Sequence, residues 1–513
     1  KLFKIFCLFL LSSVACFEAS ASKENLAQGW DAFNKNKRDD AIKLFEEAAK
    51  DADTKADGNL ALSLVYWSLD KNDKAFKYFT EFFNSSDNPY PYVYALWTTP
   101  SVFDGYGRKN DAELKFLNAL ADDKKANGTI KAMVHSMLGN HYESIGNFKK
   151  AKEEFEAIGT LDNWAILGTF DNTSGSGFNK DFGALTNAGP DAVFKNKVNA
   201  DVKWTTPPYA RNDHWFDFDN YFVIDYSIMY AQTFLESEVD QEVFMRSGNS
   251  GSLKIWVNDK LVTNVSEERN CDLDIYVNNI KLNKGYNRVL VQVGESETDR
   301  ANFMIRITDK DGNPIKGLRS TSSVQTYNKA AEYTVTAYPL FAEEFFENKA
   351  KNEPASLLNQ LLLAETYMRN DKVYEARKAL KKAGELAPES SFLGVRMIEA
   401  YARDKNVTDL TKQYEKIKSN DPDYIYAVKG LMDEADEKED YDEEETLLEK
   451  YKKLYGEDEY SDLRTLALLA KRNKYEQVVS MSQSLYEKYP DNYELMAIMY
   501  SIERNTSKNL SKA

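Results

Sequence analysis

The chain has 513 residues, room for two to four domains at ~100–200 residues each, and its 42% hydrophobic and 29% charged residues support packed cores and exclude wholesale disorder. Lys and Arg total 66 against 82 Asp and Glu, a net charge of -16, so phosphate backbones are repelled and nucleic acid is not an expected partner. Three Cys exclude a disulfide scaffold, and three His leave little for histidine-based catalysis or metal ligation, so no cofactor and no metal site are expected.

Residues 1–21 have the build of a signal peptide. Lys1 and Lys4 form the basic start, residues 5–11 the apolar run, and Ala19-Ser20-Ala21 a small-x-small cleavage site before Ser22. A second reading makes Ser13-Val14-Ala15-Cys16 a lipoprotein box with Cys16 lipidated. Both readings predict an exported protein of the periplasm or cell envelope. No later stretch reaches ~18 consecutive apolar residues, so no transmembrane helix is expected. Cleavage after Ala21 removes Lys1, Lys4 and Glu18, a net +1, giving a mature charge of -16 - 1 = -17. It also removes Cys7 and Cys16, leaving Cys271 with no internal disulfide partner.

Residues 22–160 carry a helical repeat. Gly29, Ala41, Phe45 and Ala48 form one set, Tyr66, Ala75, Phe79 and Pro89 the next, and Ala41 to Ala75 is a step of 34. Ala112, Phe116 and Ala119 suggest a third set; Leu138-Gly139, Tyr142, Ala151 and Phe155 make a fourth. Small residues fit where two helices approach closely, and rings fill the space beside them. His135 and His141 stand six apart, about 240° around a helix, and so do not share a metal-binding face.

Residues 161–320 change period. Leu253 to Val257 alternates up to an Asn258-Asp259 turn, residues 288–293 alternate after Lys284-Gly285, and residues 303–307 end at Asp309-Lys310-Asp311-Gly312. Short strands at this spacing predict an antiparallel β-sandwich. Asp309, Asp311 and Asn313 have calcium-loop character but lack the downstream Glu, so a hairpin turn is expected. Gly175-Ser176-Gly177 lacks the Lys-Ser/Thr of a phosphate loop. The aromatic stretch from Trp204 to Phe222 offers Trp204, Tyr209 and Trp215 as carbohydrate candidates, since exposed rings stack on sugar faces. Phe216, Phe218 and Phe222 fit strand core, and His214 a structural role.

Residues 321–338 read as a linker, and residues 339–513 as a second repeat array. Pro354, Pro388, Pro422 and Pro490 are spaced 34, 34 and 68, with Gly456 in the missing slot. Ala342, Ala376 and Leu410 repeat at 34, as do Phe346, Leu380, Tyr414 and Leu448. Proline, with no N–H to donate, ends each second helix.

The set Leu363-Ala364, Tyr367, Ala376, Leu380, Ala383 and Pro388 resembles the tetratricopeptide repeat (TPR), a helical hairpin of period 34. Trp164 to Gly168 with Phe170 and Asn172, Arg246-Ser247-Gly248, Ile255-Trp256-Val257-Asn258 and the stretch from Lys284 to Val291 resemble the galactose-binding-like jelly-roll of family 2 glycoside hydrolases. Thr169 departs from that family's usual Pro, and Asn249-Ser250 from its Asp-Asp. The order of modules resembles the N-terminal half of large exported transglutaminase-like bacterial proteins; no Cys-His-Asp triad is found here. The fold class expected is multidomain α + β, with α-solenoid (TPR) arrays flanking an antiparallel β-sandwich.

In such repeats the first helix of each pair lines a concave groove. Glu365, Glu399 and Asp433 are equivalent positions, as are Arg369, Arg403, Glu437 and Lys471. The peptide-groove candidates are Glu365, Arg369, Glu399, Arg403 and Lys471, weighed against surface ion pairs of ~0.3–0.5 kcal/mol. The expected function is that of a non-enzymatic scaffold or adaptor for a protein or peptide. The alternatives are glycan binding by the sandwich, and a role as the non-catalytic part of a larger transglutaminase-like enzyme.

Overall fold

A computed structural model describes residues 21–96, 111–208, 211–490 and 492–505. The signal segment up to residue 20, Cys16 included, and Tyr209 lie outside the described residues. The chain is a multidomain α + β protein that divides into two compact units. One unit takes the described residues up to Asp87, Asp111 and those from Arg377 onward; the other takes those within Asn88–Thr98 and Ala112–Ala376.

The described residues begin with α1 (21–34), α2 (Arg38–Ala48), α3 (Lys55–Ser68) and α4 (Asn72–Ser85). A Cβ on Gly29 would lie 2.5 Å from the Phe45 ring, so α1 and α2 approach at a residue without a side chain. After α5 (Tyr90–Leu96) and α6 (Asp111–Asp122), α7 (Gly128–Ser144) and α8 (Phe148–Ile158) repeat that device with Gly139 against Phe155, at 2.4 Å.

The strands are β1 (Ala165–Asp171), β2 (Phe194–Lys195), β3 (Asp201–Val202), β4 (Phe216–Asp217), β5 (Ser227–Ser237) and β6 (Gln241–Val257). They continue as β7 (Lys260–Asn270), β8 (Tyr276–Leu282), β9 (Gly285–Glu295), β10 (Asn302–Thr308), β11 (Arg319–Thr321) and β12 (Ala337–Tyr338). The large sheet runs β1-β5-β9-β6-β10-β4, with β11 on β5, β7 and β8 on β6, and β12 on β8. Its pairings are antiparallel. The long strand β6 serves β8 and β10 with its first half and β7 and β9 with its second. Gly251, at φ +99°, stands at the changeover, a backbone state that suits glycine. Asn258 and Asp259 both have positive φ and close the β6–β7 turn, as their sequence predicts. Residues 321–338 leave the sheet at β11 and rejoin it at β12.

Alternate residues of β5 serve two cores, as a period of two requires. Met229, Ala231 and Leu235 join a cluster with Val291, Val293, Phe303 and Ile305. Ile228 and Tyr230 turn the other way, toward Leu167, Phe170, Phe194 and Trp204.

The chain then runs through α9 (Phe341–Asn352), α10 (Leu357–Arg369) and α11 (Val373–Leu386). It continues as α12 (Ser391–Arg403), α13 (Val407–Asn420), α14 (Ile425–Glu437), α15 (Tyr441–Tyr455), α16 (Glu459–Lys471), α17 (Tyr475–Lys488) and α18 (Tyr493–Asn505). Pro354, Pro388, Pro422 and Pro490 each fall two residues past a helix end, and Gly456 caps α15 with φ +88°. Starts are equally local: the side chains of Ser390, Asn406, Asp440 and Asp458 accept from backbone N–H groups of α12, α13, α15 and α16.

In the helical unit, α1 to α4 pack with the C-terminal helices. Phe33 and Trp67 lie 5.4 and 5.1 Å from the Phe392 ring. Arg38 bonds Asp421 at 2.6 Å, with both side chains largely buried, and its guanidinium lies 4.0 Å over Tyr424.

Candidate functional site

Described residues of the segments 204–208 and 211–222 line three neighbouring clefts in the sheet unit. Their placement starts at β4, which pairs with β10 so that Phe216 opposes Phe303 and Asp217 opposes Asn302. Phe216 and Phe218 therefore enter the core and contact the Phe303 ring. Trp215, one residue before, stays half-buried.

The loop that presents Trp215 is tied down on both sides. Asp213 accepts from Arg211 Nε at 2.9 Å, from Arg211 Nη2 at 2.5 Å and from the Trp215 N–H at 3.2 Å. Arg211 Nη1 reaches Asp217 at 3.2 Å. His214 has φ +62°, an uncommon state for a non-glycine residue, and its Nδ1 lies 2.8 Å from Thr160 Oγ1.

A cleft of about 310 Å³ opens beside this loop. Trp164, Trp215, Phe216 and Tyr221 supply its rings, and Asp162, Asn163, Arg211 and His214 its polar edge. A second cleft of about 300 Å³ shares Arg211 and Trp215 and adds Ser250, Asn270, Arg300 and Asn302. A third, of about 560 Å³, shares Pro207 and Tyr221 with the first. Rings beside hydrogen-bonding groups suit a ligand with one apolar face and several hydroxyls. Cys271 lines the second cleft, but burial pushes its thiol up to about 12, away from the thiolate a nucleophile needs.

The other carbohydrate candidate among the described residues differs. Trp204 is buried, donates its indole N–H to the Asn187 carbonyl at 2.8 Å, and stands edge-on to Phe194. It is core. The sequence pointed to Trp215 through its aromatic neighbourhood; it missed Arg211, Asn163 and Asp162. The Arg211-Asn212-Asp213 run inside that aromatic stretch was the available signal.

The groove candidates fall in both units. Glu365 and Arg369 lie on α10 in the sheet unit, where both are buried. The Arg369 side chain is 0% exposed, bonds Asp272 at 2.7 Å and stacks 4.7 Å over Tyr94. Glu399 and Arg403, on α12 of the helical unit, bond each other at 3.0 Å, and Arg396 pairs with the same carboxylate. Burial works against that charge, yet the two guanidiniums hold the Glu399 carboxyl below its ordinary value. Lys471 pairs with Asp436. Each of these cations has a carboxylate of its own chain.

The hairpin at residues 309–313 is held by Asp309, which accepts the Asn313 N–H at 2.9 Å. Among the described residues no cluster of His, Cys, Asp and Glu is arranged to hold a metal ion, and no helix is long and apolar enough to cross a membrane. No model of a known protein family matches this sequence, and no curated protein matches it.

Proposed function

We propose that the chain is an exported, non-catalytic binding protein, in which TPR-type helical arrays carry a galactose-binding-like β-sandwich that takes a sugar ring in the Trp215 cleft. The observation that carries this reading is Trp215 itself: a half-buried residue whose backbone N–H is held by Asp213, with its indole beside Arg211, His214, Asp162 and Asn163. The indole meets the C–H face of a sugar, and the polar edge meets its hydroxyls.

A glycan array probed with the full chain and with Trp215→Ala tests it. Retention of one glycan class by the wild type, weakened about tenfold or more in Trp215→Ala, is expected. Silence of the wild type, or equal binding by the variant, rejects the reading.

A second reading keeps a protein or peptide as partner of the helical repeats. It is favoured by Tyr475, Tyr493 and Tyr500, which are 64%, 81% and 47% exposed on α17 and α18, because tyrosine is enriched where proteins meet. Affinity capture from an envelope extract, with the three tyrosines changed to Ser as control, tests it. A reproducible partner lost in the triple variant supports it, and identical capture by both rejects it.

A further inference from the structure

The helical unit holds a cavity of about 260 Å³ that the sugar reading leaves unused. It lies between the end of α3 and the helices α12 and α14. Trp67, Phe392 and Tyr426 supply its rings. Its charged groups come as two cations and two anions. Arg396 on α12 pairs with Glu399 one turn on, and its guanidinium lies 4.6 Å over the Trp67 ring. Lys429 on α14 reaches Asp70, just past α3, at 2.5 Å.

These features restrict the guest. The size is just below the ~300–1,000 Å³ of drug-sized sites, so the guest is small. Two positive and two negative side chains line the cavity and sum to zero, and Arg403, outside the lining, also bonds Glu399. A guest of one net charge would leave part of that charge uncompensated in a half-buried place, which is costly. A guest with one positive and one negative end meets both pairs, and an apolar body meets the rings. We propose that this cavity binds a free α-amino acid with a large apolar side chain. The carboxylate faces Arg396 and Lys429, the ammonium faces Glu399 and Asp70, and the side chain lies among Trp67, Phe392 and Tyr426.

Isothermal titration calorimetry on the full chain tests this with L-phenylalanine, L-leucine and L-methionine. Each is compared with its N-acetyl and its carboxamide form, which lack one charge apiece. At least one free amino acid binds at one per chain, and both blocked forms bind about tenfold more weakly or worse. Lys429→Gln weakens binding about fivefold or more, while Lys471→Gln and Trp215→Ala bind as the wild type does. Circular dichroism checks that Lys429→Gln is folded; if it is not, Tyr426→Ala takes its place with the same expected loss. No heat from any of the three up to about 10 mM, or equal binding by free and blocked forms, overturns the proposal. So does loss of binding in Trp215→Ala, which separates this site from the sugar cleft.

Discussion

Trp204 and Trp215 have the same side chain and stand eleven residues apart, yet burial gives them opposite roles. Trp204 is 7% exposed with its N–H satisfied, so Trp204→Ala opens a cavity, for a loss of about 3–5 kcal/mol in chemical denaturation. Trp215→Ala removes a half-buried ring at a cleft and costs under about 1.5 kcal/mol in the same measurement. Arg369 shows the converse lesson. As an exposed groove cation it would be removable at almost no cost. Enclosed by Tyr94 and Asp272, with its side chain 0% exposed, it is a packed group. Asp272 stays 39% exposed and can be re-solvated, so Arg369→Ala is expected to cost about 1–3 kcal/mol, below the range for a fully buried pair. Arg403→Ala, which removes a 35% exposed side chain, costs about 1 kcal/mol or less.

At the scale of elements, the joint between α7 and the sheet is tightly constrained. A Cβ on Gly128 would lie 2.0 Å from the Gly312 backbone, so helix start and hairpin turn meet main chain to main chain. Beneath them Asp274 bonds Arg306 Nη1 at 2.5 Å and accepts from Thr129 Oγ1 at 2.8 Å, and Arg246 Nη1 reaches the same hydroxyl at 3.3 Å. Asp274 and Arg306 are each 1% exposed. Asp274→Ala leaves the buried Arg306 guanidinium without its carboxylate, and a loss of about 3–5 kcal/mol follows, measured by denaturant midpoint. Asp274→Asn keeps the shape and an acceptor oxygen and should recover part of that loss. This joint also marks what the sequence could tell. The helix ends were legible in Pro388, Pro422 and Pro490, because proline acts on its own backbone. The β6–β7 turn was legible in Asn258-Asp259 for the same local reason. The burial of Arg369 was not, since it depends on Asp272, ninety-seven residues away in the chain. The Trp215 cleft was half legible. Its aromatic stretch stood out, whereas Asp162 and Asn163 reach it from a separate loop that no period marks.

The whole molecule couples these scales through its division into two units. The helical unit is built from both ends of the chain, with Phe33, Trp67 and Arg38 on one side and Phe392, Asp421 and Tyr424 on the other. Its shifted carboxyls move in the opposite direction to those of the sheet unit. In the helical unit, burial opposes the charge of Glu399 and Glu434, but Arg396 and Arg403 on the first, and Lys418 with Tyr414 on the second, hold both carboxyls below the ordinary glutamate value of 4.5. The Lys412 hydrogen bond does the same for Asp409, below 3.8. A carboxyl depressed on folding stabilises the fold above its unfolded value and loses that contribution as pH falls through the folded one. In the sheet unit, burial raises Asp219 and Glu295 above 3.8 and 4.5. Those groups bind protons more readily in the fold, so their effect favours the fold in acid and fades as pH rises through their folded values. The two units should therefore separate below the ordinary carboxylate range. Differential scanning calorimetry at pH 7 and again at about pH 3.5 is expected to show the transition of the helical unit falling further than that of the sheet unit. Asp274→Ala identifies the sheet transition by lowering it selectively at pH 7. Equal acid shifts of the two transitions would show that these five carboxyls do not govern the acid response of either unit. In Glu399→Gln, where one depressed carboxyl is gone, the acid shift of the helical transition should shrink while the sheet transition stays where it was.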